Sequence, residues 1–301
     1  MPFLTIFTTP KPFTNPHIDT IQRNAIRSWM QLPDVEVLLI GAEAGLAQVA
    51  NEYHLLHLPQ VTCSQWGTPL ISSIFELARQ HSSSQVLAFT NADMIYFPDL
   101  LASMRQVSDQ EKAFLVIGQR WDIDIDQPLD FQHGWQKRLQ AQVRQRGKLH
   151  PPAGSDYFIF PRQSFTHIPD FSIGRAGWDN WMIYHGVQQG WPVIDATASI
   201  VAVHQNHDYS HLPGGRPHYD HEESRHNTTL AGGSTHLYTM LDTTAELRQG
   251  KIGSPRPTLV RWIRSMERRW MPPDDRRSGP RWWIVRRLRR WRRSLLRSME
   301  A

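Results

Sequence analysis

Four stretches of the 301-residue chain carry side chains whose types and spacing could do chemistry. The apolar run Val86–Thr90 passes directly into Asn91-Ala92-Asp93. A carboxylate at the end of a buried strand can hold Mg²⁺ or Mn²⁺, and the ion can in turn hold a diphosphate. Capping a turn would use the same Asp93. The stretch Gly174-Arg175-Ala176-Gly177-Trp178-Asp179-Asn180-Trp181 sets two glycines ahead of an acid at the entry to a helix. Glycine permits close backbone approach, and the helix dipole keeps such a carboxylate ionised, as a general base must be. A plain N-cap Asp would look the same. The stretch Val203-His204-Gln205-Asn206-His207-Asp208-Tyr209-Ser210-His211 either offers imidazoles to a metal or builds a polar loop. Asp122, Asp124 and Asp126 would share one face of a strand. Counting from Asp122, the sixth and twelfth positions are Gln127 and His133, which excludes a calcium hand. That cluster reads first as a solvated strand face and second as an acceptor-side surface.

Several signatures are missing. No GxGxxG follows the first strand, and GxxxxGK[ST], GxSxG and HExxH do not occur. A Rossmann dinucleotide site, a P-loop, a nucleophile elbow and a zincin helix therefore lack their fingerprints.

The elements that would position these residues follow a βαβα rhythm. Leu4–Thr8, Val35–Ile40 and Gln85–Thr90 are short apolar runs ended by Pro or Gly or by the polar step at 91, as expected of buried parallel strands. Leu56–Val61 reads as a further strand. Between them, His17–Met30, Ala44–Tyr53 and Thr68–Arg79 have helical apolar spacing or start signals. Ala113–Ile117, Tyr157–Phe160 and Val193–Ile194 read as later strands, and Trp135–Arg146 and Trp181–Gln189 as helices. This pattern predicts an α/β fold with a mainly parallel sheet flanked by helices. Such a sheet binds ligands beyond the carboxyl ends of its strands. Residues 204–236 hold seven of the 15 histidines without clear periodicity and read as a long functional loop.

Charge divides the chain. Residues 261–301 hold 14 Arg against 4 acidic residues, a balance of +10, while residues 1–260 carry −5. An acidic body with a basic tail suggests chemistry in the body and attachment by the tail. Composition places the division at 1–250 and 251–301, the latter a linker and an Arg/Trp-rich amphipathic helical tail. Within 281–297, Ile284, Leu288, Trp291 and Leu295 recur at helical spacing among arginines. That pattern suits an anionic membrane surface, and the Trp-Leu stripe favours membrane over nucleic acid. The single Cys63 excludes an internal disulfide framework, and MPFLTIFTTP reads as a first strand rather than a leader. The expected location is cytoplasmic, peripheral at the inner face of the membrane.

Taken in order, the pieces resemble a GT-A glycosyltransferase of the family-2-like kind over residues 3–245. The residues that carry the resemblance are Thr8-Thr9-Pro10, Val37–Gly41, Asn91-Ala92-Asp93, Gly154-Ser155-Asp156-Tyr157, Gly177-Trp178-Asp179-Asn180 and His204. The family's D-x-D step falls on Asn91-Ala92-Asp93, with Asn in place of the first acid. The resemblance implies a nucleotide-sugar donor framed by Thr8, Pro10 and Glu43, with Gly67 and Thr68 lining the nucleotide and Asn91 and Asp156 contacting the donor. It implies Mn²⁺ or Mg²⁺ held by Asp93 and His204, and Asp179 as the base of an inverting transfer. Trp178, Trp181 and Trp135 are candidate sugar platforms, though tryptophan is more commonly core. The implied acceptor is a glycan or lipid-linked hydroxyl. Three rivals remain: a sugar-1-phosphate nucleotidyltransferase, which needs a Gly-rich loop that TIFTTPKPF lacks; a non-catalytic membrane- or nucleic-acid-binding protein acting through the tail; and a zinc hydrolase using the late histidines.

Overall fold

The computed structural model describes residues 1–207, 221–272 and 276–300. Asp208, Tyr209, Ser210 and His211 of the histidine stretch lie outside the described residues. The first half runs β1 (Leu4–Thr8), α1 (Pro16–Met30), β2 (Val35–Ile40), α2 (Leu46–Glu52), β3 (Leu56–Leu58), α3 (Ile71–His81), β4 (Val86–Thr90), β5 (Met94–Ile95) and α4 (Asp99–Gln110). There follow β6 (Leu115–Ile117), β7 (Trp121–Ile123), α5 (Trp135–Arg146), β8 (Lys148–Leu149), β9 (Tyr157–Pro161), α6 (Trp178–Gln188), β10 (Val193–Asp195) and β11 (Val203–Gln205). The chain closes with α7 (Glu222–Leu230), β12 (Ala245–Arg248), β13 (Lys251–Gly253), α8 (Leu259–Trp270) and α9 (Gly279–Glu300).

Among the described residues the main sheet has nine strands in the order β13-β12-β10-β6-β9-β4-β1-β2-β3. It is mainly parallel, with β9 antiparallel between β4 and β6 and β13 antiparallel at the edge. Alternation along the central strands fills both faces. Leu4 and Ile6 of β1, Val86 and Ala88 of β4 and Ile159 of β9 join one core, with Ala25, Ile26 and Trp29 of α1. Phe7, Leu87, Phe89, Phe158 and Phe160 join the other, with Ile71, Ile74 and Phe75 of α3 and Met182 and Ile183 of α6. Fully burying one such side chain stabilises by about 1.5–3 kcal/mol, so the central strands fix the sheet before any site residue contributes.

A smaller four-stranded sheet, β5-β11-β7-β8, grows from the segment after β4. Its outer face packs on α5 through Ile95, Phe97, Trp135, Leu139 and Val203. Here the structure corrects the reading of the Asp122 cluster: the strand covers only Trp121–Ile123, so Asp124 and Asp126 fall beyond it and are exposed, while Asp122 is half-buried. The 204–236 segment is not one long loop, since it contains most of β11 and all of α7. Helix α6 begins three residues before the expected Trp181, because Gly177 at φ +111 turns the chain into it and Trp178 is already buried. The β12–β13 hairpin carries the main sheet to Gly253, past the 250/251 division expected from composition. No helix among the described residues is long and apolar enough to cross a membrane.

Candidate active site

Sheet topology brings distant residues to one edge. Strands β1 and β4 are parallel, so Thr8 and Thr90 end side by side. Strand β9 runs the other way, so its first residue, Tyr157, pairs with Thr90 and residues 154–156 arrive at the same edge. In the small sheet His204 is the cross-strand partner of Met94 on one side and of Asp122 on the other. Asp93 therefore lies next to His204 although 111 positions separate them. Gln205, fully buried, locks this arrangement: its side-chain amide donates to the carbonyls of Ile21 and Asp93 at 2.7 and 3.1 Å.

Asp93, His204 and His207 form a group whose ligand atoms all lie within 4.8 Å of one another. Asp93 Oδ2 is 3.2 Å from His207 Nε2 and 3.8 Å from His204 Nε2. Asp93 Oδ1 is buried with no hydrogen-bond partner among the described residues. A buried carboxylate with one oxygen facing two imidazoles and the other unpartnered fits a divalent metal ion. The mixed nitrogen and oxygen donors suit Mn²⁺ better than Mg²⁺, which prefers oxygen throughout. Burial alone would raise the Asp93 carboxyl. The facing His204 and His207, with the Lys11 ammonium close by, reverse that and hold it well below the usual carboxylate range. Lys11 Nζ lies 3.0 Å from His207 Nε2, so a fixed cation borders the group.

A chain of charges runs on from this group. His204 Nδ1 is 3.1 Å from Asp122 Oδ1, an ion-pair distance rather than an aligned hydrogen bond, at which the carboxylate's charge can steady the imidazole. Asp122 also meets His150 Nδ1 at 2.7 Å and Arg120 Nε at 2.8 Å. Burial opposes its charge, but His150, His204 and Arg120 together hold its carboxyl far below the ordinary value. Arg120 pairs in turn with Asp156, whose Oδ1 accepts from the Asn91 side-chain amide at 2.7 Å. Asn91 thus serves as a neutral donor to Asp156. A second Asp there would face Asp156 as a like charge.

Asp179 sits in the first turn of α6, half-buried. Its carboxylate rests on the backbone of Gly154: a Cβ at that position would lie 2.5 Å from Asp179 Oδ2. Gly154 is two residues from Asp156, which ties Asp179 to the charge chain. Burial pushes the Asp179 carboxyl up; backbone N–H groups of the helix start pull it back, and the Asp156 charge raises it again, leaving it at about 6.

The other expected residues fall in three places. Thr8 and Pro10 are buried at the end of β1, where the Thr8 and Thr9 hydroxyls have no partner among the described residues. Glu43 is beside them beyond β2, since Phe13 N donates to Ala44 O and a Cβ on Gly41 would meet Thr9 Cγ2 at 3.3 Å; burial raises its carboxyl. Gly67 and Thr68 lie on a turn that packs toward α7, where Thr68 and Arg175 both bond Glu223. Trp178, Trp181 and Trp135 are buried against other rings. Trp178 packs 5.2 Å from both Phe89 and Phe158, Trp181 stacks on His185, and Trp135 stacks on Phe97. Sequence reasoning missed His207, Arg120, Lys11 and the site role of Asp122. His207 was legible as part of the histidine stretch, three residues after His204. Arg120 carried no local signal.

The observed architecture is a mainly parallel sheet with helices on both faces and a group of side chains that could hold a metal ion beside its carboxyl edge. No family description and no curated protein matches the sequence. Among solved structures the chain is similar to the glucosyl-3-phosphoglycerate synthase of Mycobacterium tuberculosis in complex with Mn²⁺, UDP and glucosyl-3-phosphoglycerate. There the identity is 16% and the TM-score 0.47, over 86% of this chain and 88% of that one. It is also similar to a mannosyltransferase of Pyrobaculum calidifontis in complex with GDP-Man and Mn²⁺, at 13% identity and TM-score 0.42, over 67% of this chain and 56% of that one. S. aureus TarS in complex with UDP-GlcNAc matches at 11% identity and TM-score 0.32, over 41% of this chain and 35% of that one. The chain thus spans just over half of the mannosyltransferase and between about a third and three-fifths of the TarS 1–349 chain.

Proposed function

We propose that this chain is an inverting glycosyltransferase that moves a sugar from a nucleotide-diphosphate donor, a UDP-sugar in the first instance, to a hydroxyl of a glycan or lipid-linked acceptor. One observation carries the reading. A group at Asp93 that could hold a metal ion is linked through His204, Asp122, Arg120 and Asp156 to the neighbourhood of Asp179, a half-buried carboxyl pushed up to about 6.

Asp93, His204 and His207 would hold the divalent ion, which supplies positive charge to offset the charge growing on the leaving diphosphate. Asp122 keeps the His204 ring oriented. Lys11 adds a second cation on the same side. The ends of β1 and β2, with the unpartnered Thr8 hydroxyl and the Glu43 carboxyl, frame the nucleoside. Asp179 accepts the proton of the acceptor hydroxyl as that oxygen bonds to the anomeric carbon. The bond from the anomeric carbon to the phosphate oxygen breaks on the opposite side, and the nucleoside diphosphate departs with the electron pair. At neutral pH a carboxyl titrating near 6 is mostly ionised and still basic enough to share a proton. Residues 281–297 would hold the enzyme at an anionic membrane surface, where lipid-linked acceptors lie. A metal hydrolase could use the same three ligands but would leave Asp179 and the β1–β2 edge without a task.

The test is nucleotide release from UDP- and GDP-sugars with Mn²⁺, with Mg²⁺ and with a chelator. Release that depends on a nucleotide sugar and is strongest with Mn²⁺ is expected. Metal-dependent hydrolysis of simple esters, with no release from any nucleotide sugar, overturns the reading.

A further inference from the structure

Helices α8 and α9 form a folded hairpin rather than a loose tail. Glu267 meets Arg292 Nε at 2.6 Å and Arg289 Nε at 3.7 Å, and Met271 Sδ lies 3.7 Å from Arg289. As the contacts step back from Met271 to Glu267 they step forward along α9 from Arg289 to Arg292, so the helices are antiparallel. Glu267 is fully buried in the seam, and Arg264 completes its set at 3.6 Å. The hairpin is fixed to the body through α8. Arg264 and Arg268 reach Asp242 at 2.8 and 3.4 Å, and Arg261 reaches Asp195 at 3.4 Å.

These contacts orient the remaining faces. At about 100° per residue, Arg261, Arg264 and Arg268 turn toward the body, and Ile263 and Glu267 toward the seam. The side of α8 opposite the body is left with Leu259, Trp262, Met266 and Trp270, at spacings of three, four and four. Leu259, Trp262 and Trp270 are 49%, 54% and 42% exposed. Helix α9 buries Val285 in the seam, beside Arg289 and Arg292. It leaves Ile284, Leu288, Trp291 and Leu295 about a quarter turn away, with Trp291 47% exposed. Each stripe lies on the same rotational side of its own seam. In an antiparallel pair this puts both stripes on one face of the hairpin, turned away from the body.

We infer that this two-helix face is a docking surface for an anionic lipid membrane, with α8 supplying half of it. Charge selects the occupant. Arg269, Arg281 and Arg287 flank the stripes, and Arg287 stacks over Trp283 at 4.8 Å. Arg286, Arg290, Arg293 and Arg297 are exposed on the far side of α9, within about a Debye length of a surface that the stripe touches. A second copy of the chain would set +10 against +10. Nucleic acid would leave eight apolar side chains uncovered. Tryptophan and leucine entering the headgroup region, with arginines reaching phosphate, satisfies both features. The inference deepens the membrane placement above and is independent of which sugar is transferred.

The test is flotation of the full chain with phosphatidylcholine vesicles, with and without phosphatidylglycerol. The chain is expected to float with the anionic vesicles only, and less so as salt rises. Trp262→Ser with Trp270→Ser, both on the exposed face, should weaken vesicle binding on the order of tenfold with unchanged Tm and unchanged nucleotide release in the absence of vesicles. Vesicle binding as tight as wild type in that double variant overturns the two-helix surface. So does a wild-type chain that ignores anionic vesicles but elutes as a dimer which the double variant breaks. Nucleotide release, read separately, reports on the catalytic proposal alone.

Discussion

Two carboxylates of the proposed site live in opposite surroundings. Asp93 faces two imidazoles and a lysine, and its charge is held on despite burial. Asp179 rests on a glycine backbone near another acid, and burial makes its charge costly. Under the proposed function the same side chain would serve two tasks, set by its neighbours: Asp93 would stay ionised and hold a cation, and Asp179 would be poised to take a proton. Groups whose environments push their pKa values apart mark an acid-base assignment. If the assignment is right, substitutions on the two sides must fail differently.

The largest separation is expected from Asp179→Asn. It should lower turnover about 10²–10⁴-fold, the usual contribution of a general base, with Mn²⁺ binding intact. Steady-state rates beside a calorimetric metal titration check both halves. Near-normal turnover would remove Asp179 from the chemistry. The next effect is on the other side. Asp122→Asn leaves His204 without its orienting carboxylate and should weaken Mn²⁺ binding about 10–100-fold. An unchanged Mn²⁺ affinity would reduce the 3.1 Å contact to a surface ion pair.

Legibility in the sequence divided along the same line. Asp93, His204 and Asp179 could be singled out because each sits at an element boundary that local pattern reveals: a strand end, a late strand and a Gly-to-helix entry. The parallel sheet was legible for a similar reason, since strands buried on both faces read as unbroken apolar runs. What joins the site was not legible. Arg120 follows a short strand with no periodic signal, and its partners Asp122 and Asp156 become neighbours only when antiparallel β9 inserts between β4 and β6. The three tryptophans, read as candidate platforms or as core, are buried against other rings. The tail was legible as an amphipathic helix, but α8, whose arginines read as part of the same basic run, hid its docking contacts to Asp242 and Asp195.

A smaller effect distinguishes the two acids by stability. The folded chain keeps the Asp179 proton up to about pH 6, whereas an unfolded chain gives it up near 3.8. Below 3.8 both states are protonated and burial of the neutral acid carries no charge penalty. As pH rises from there to 6 the penalty grows, and above 6 it is fully present. Asp179→Asn should therefore stabilise the fold at pH 7, on the order of 1–3 kcal/mol, and change little at pH 4. Thermal melts at the two pH values read this out. A variant that is less stable at pH 7 would mean that Asp179 is an integral cap of α6 rather than a strained functional acid.

The finest comparison concerns what raises Asp179. Its activity should fall as pH drops through about 6, because the base is lost on protonation. Part of that elevation comes from the Asp156 charge. Asp156→Asn keeps the shape beside Gly154 and removes the charge, so the Asp179 carboxyl should titrate lower and the acid limb of kcat/KM should move to lower pH. The direction separates this from loss of the Arg120 pairing, which would cut kcat/KM at every pH and leave the limb where it was. A limb that moves to higher pH contradicts the like-charge account, and an unmoved limb leaves the position of Asp179 set by burial and the helix backbone alone.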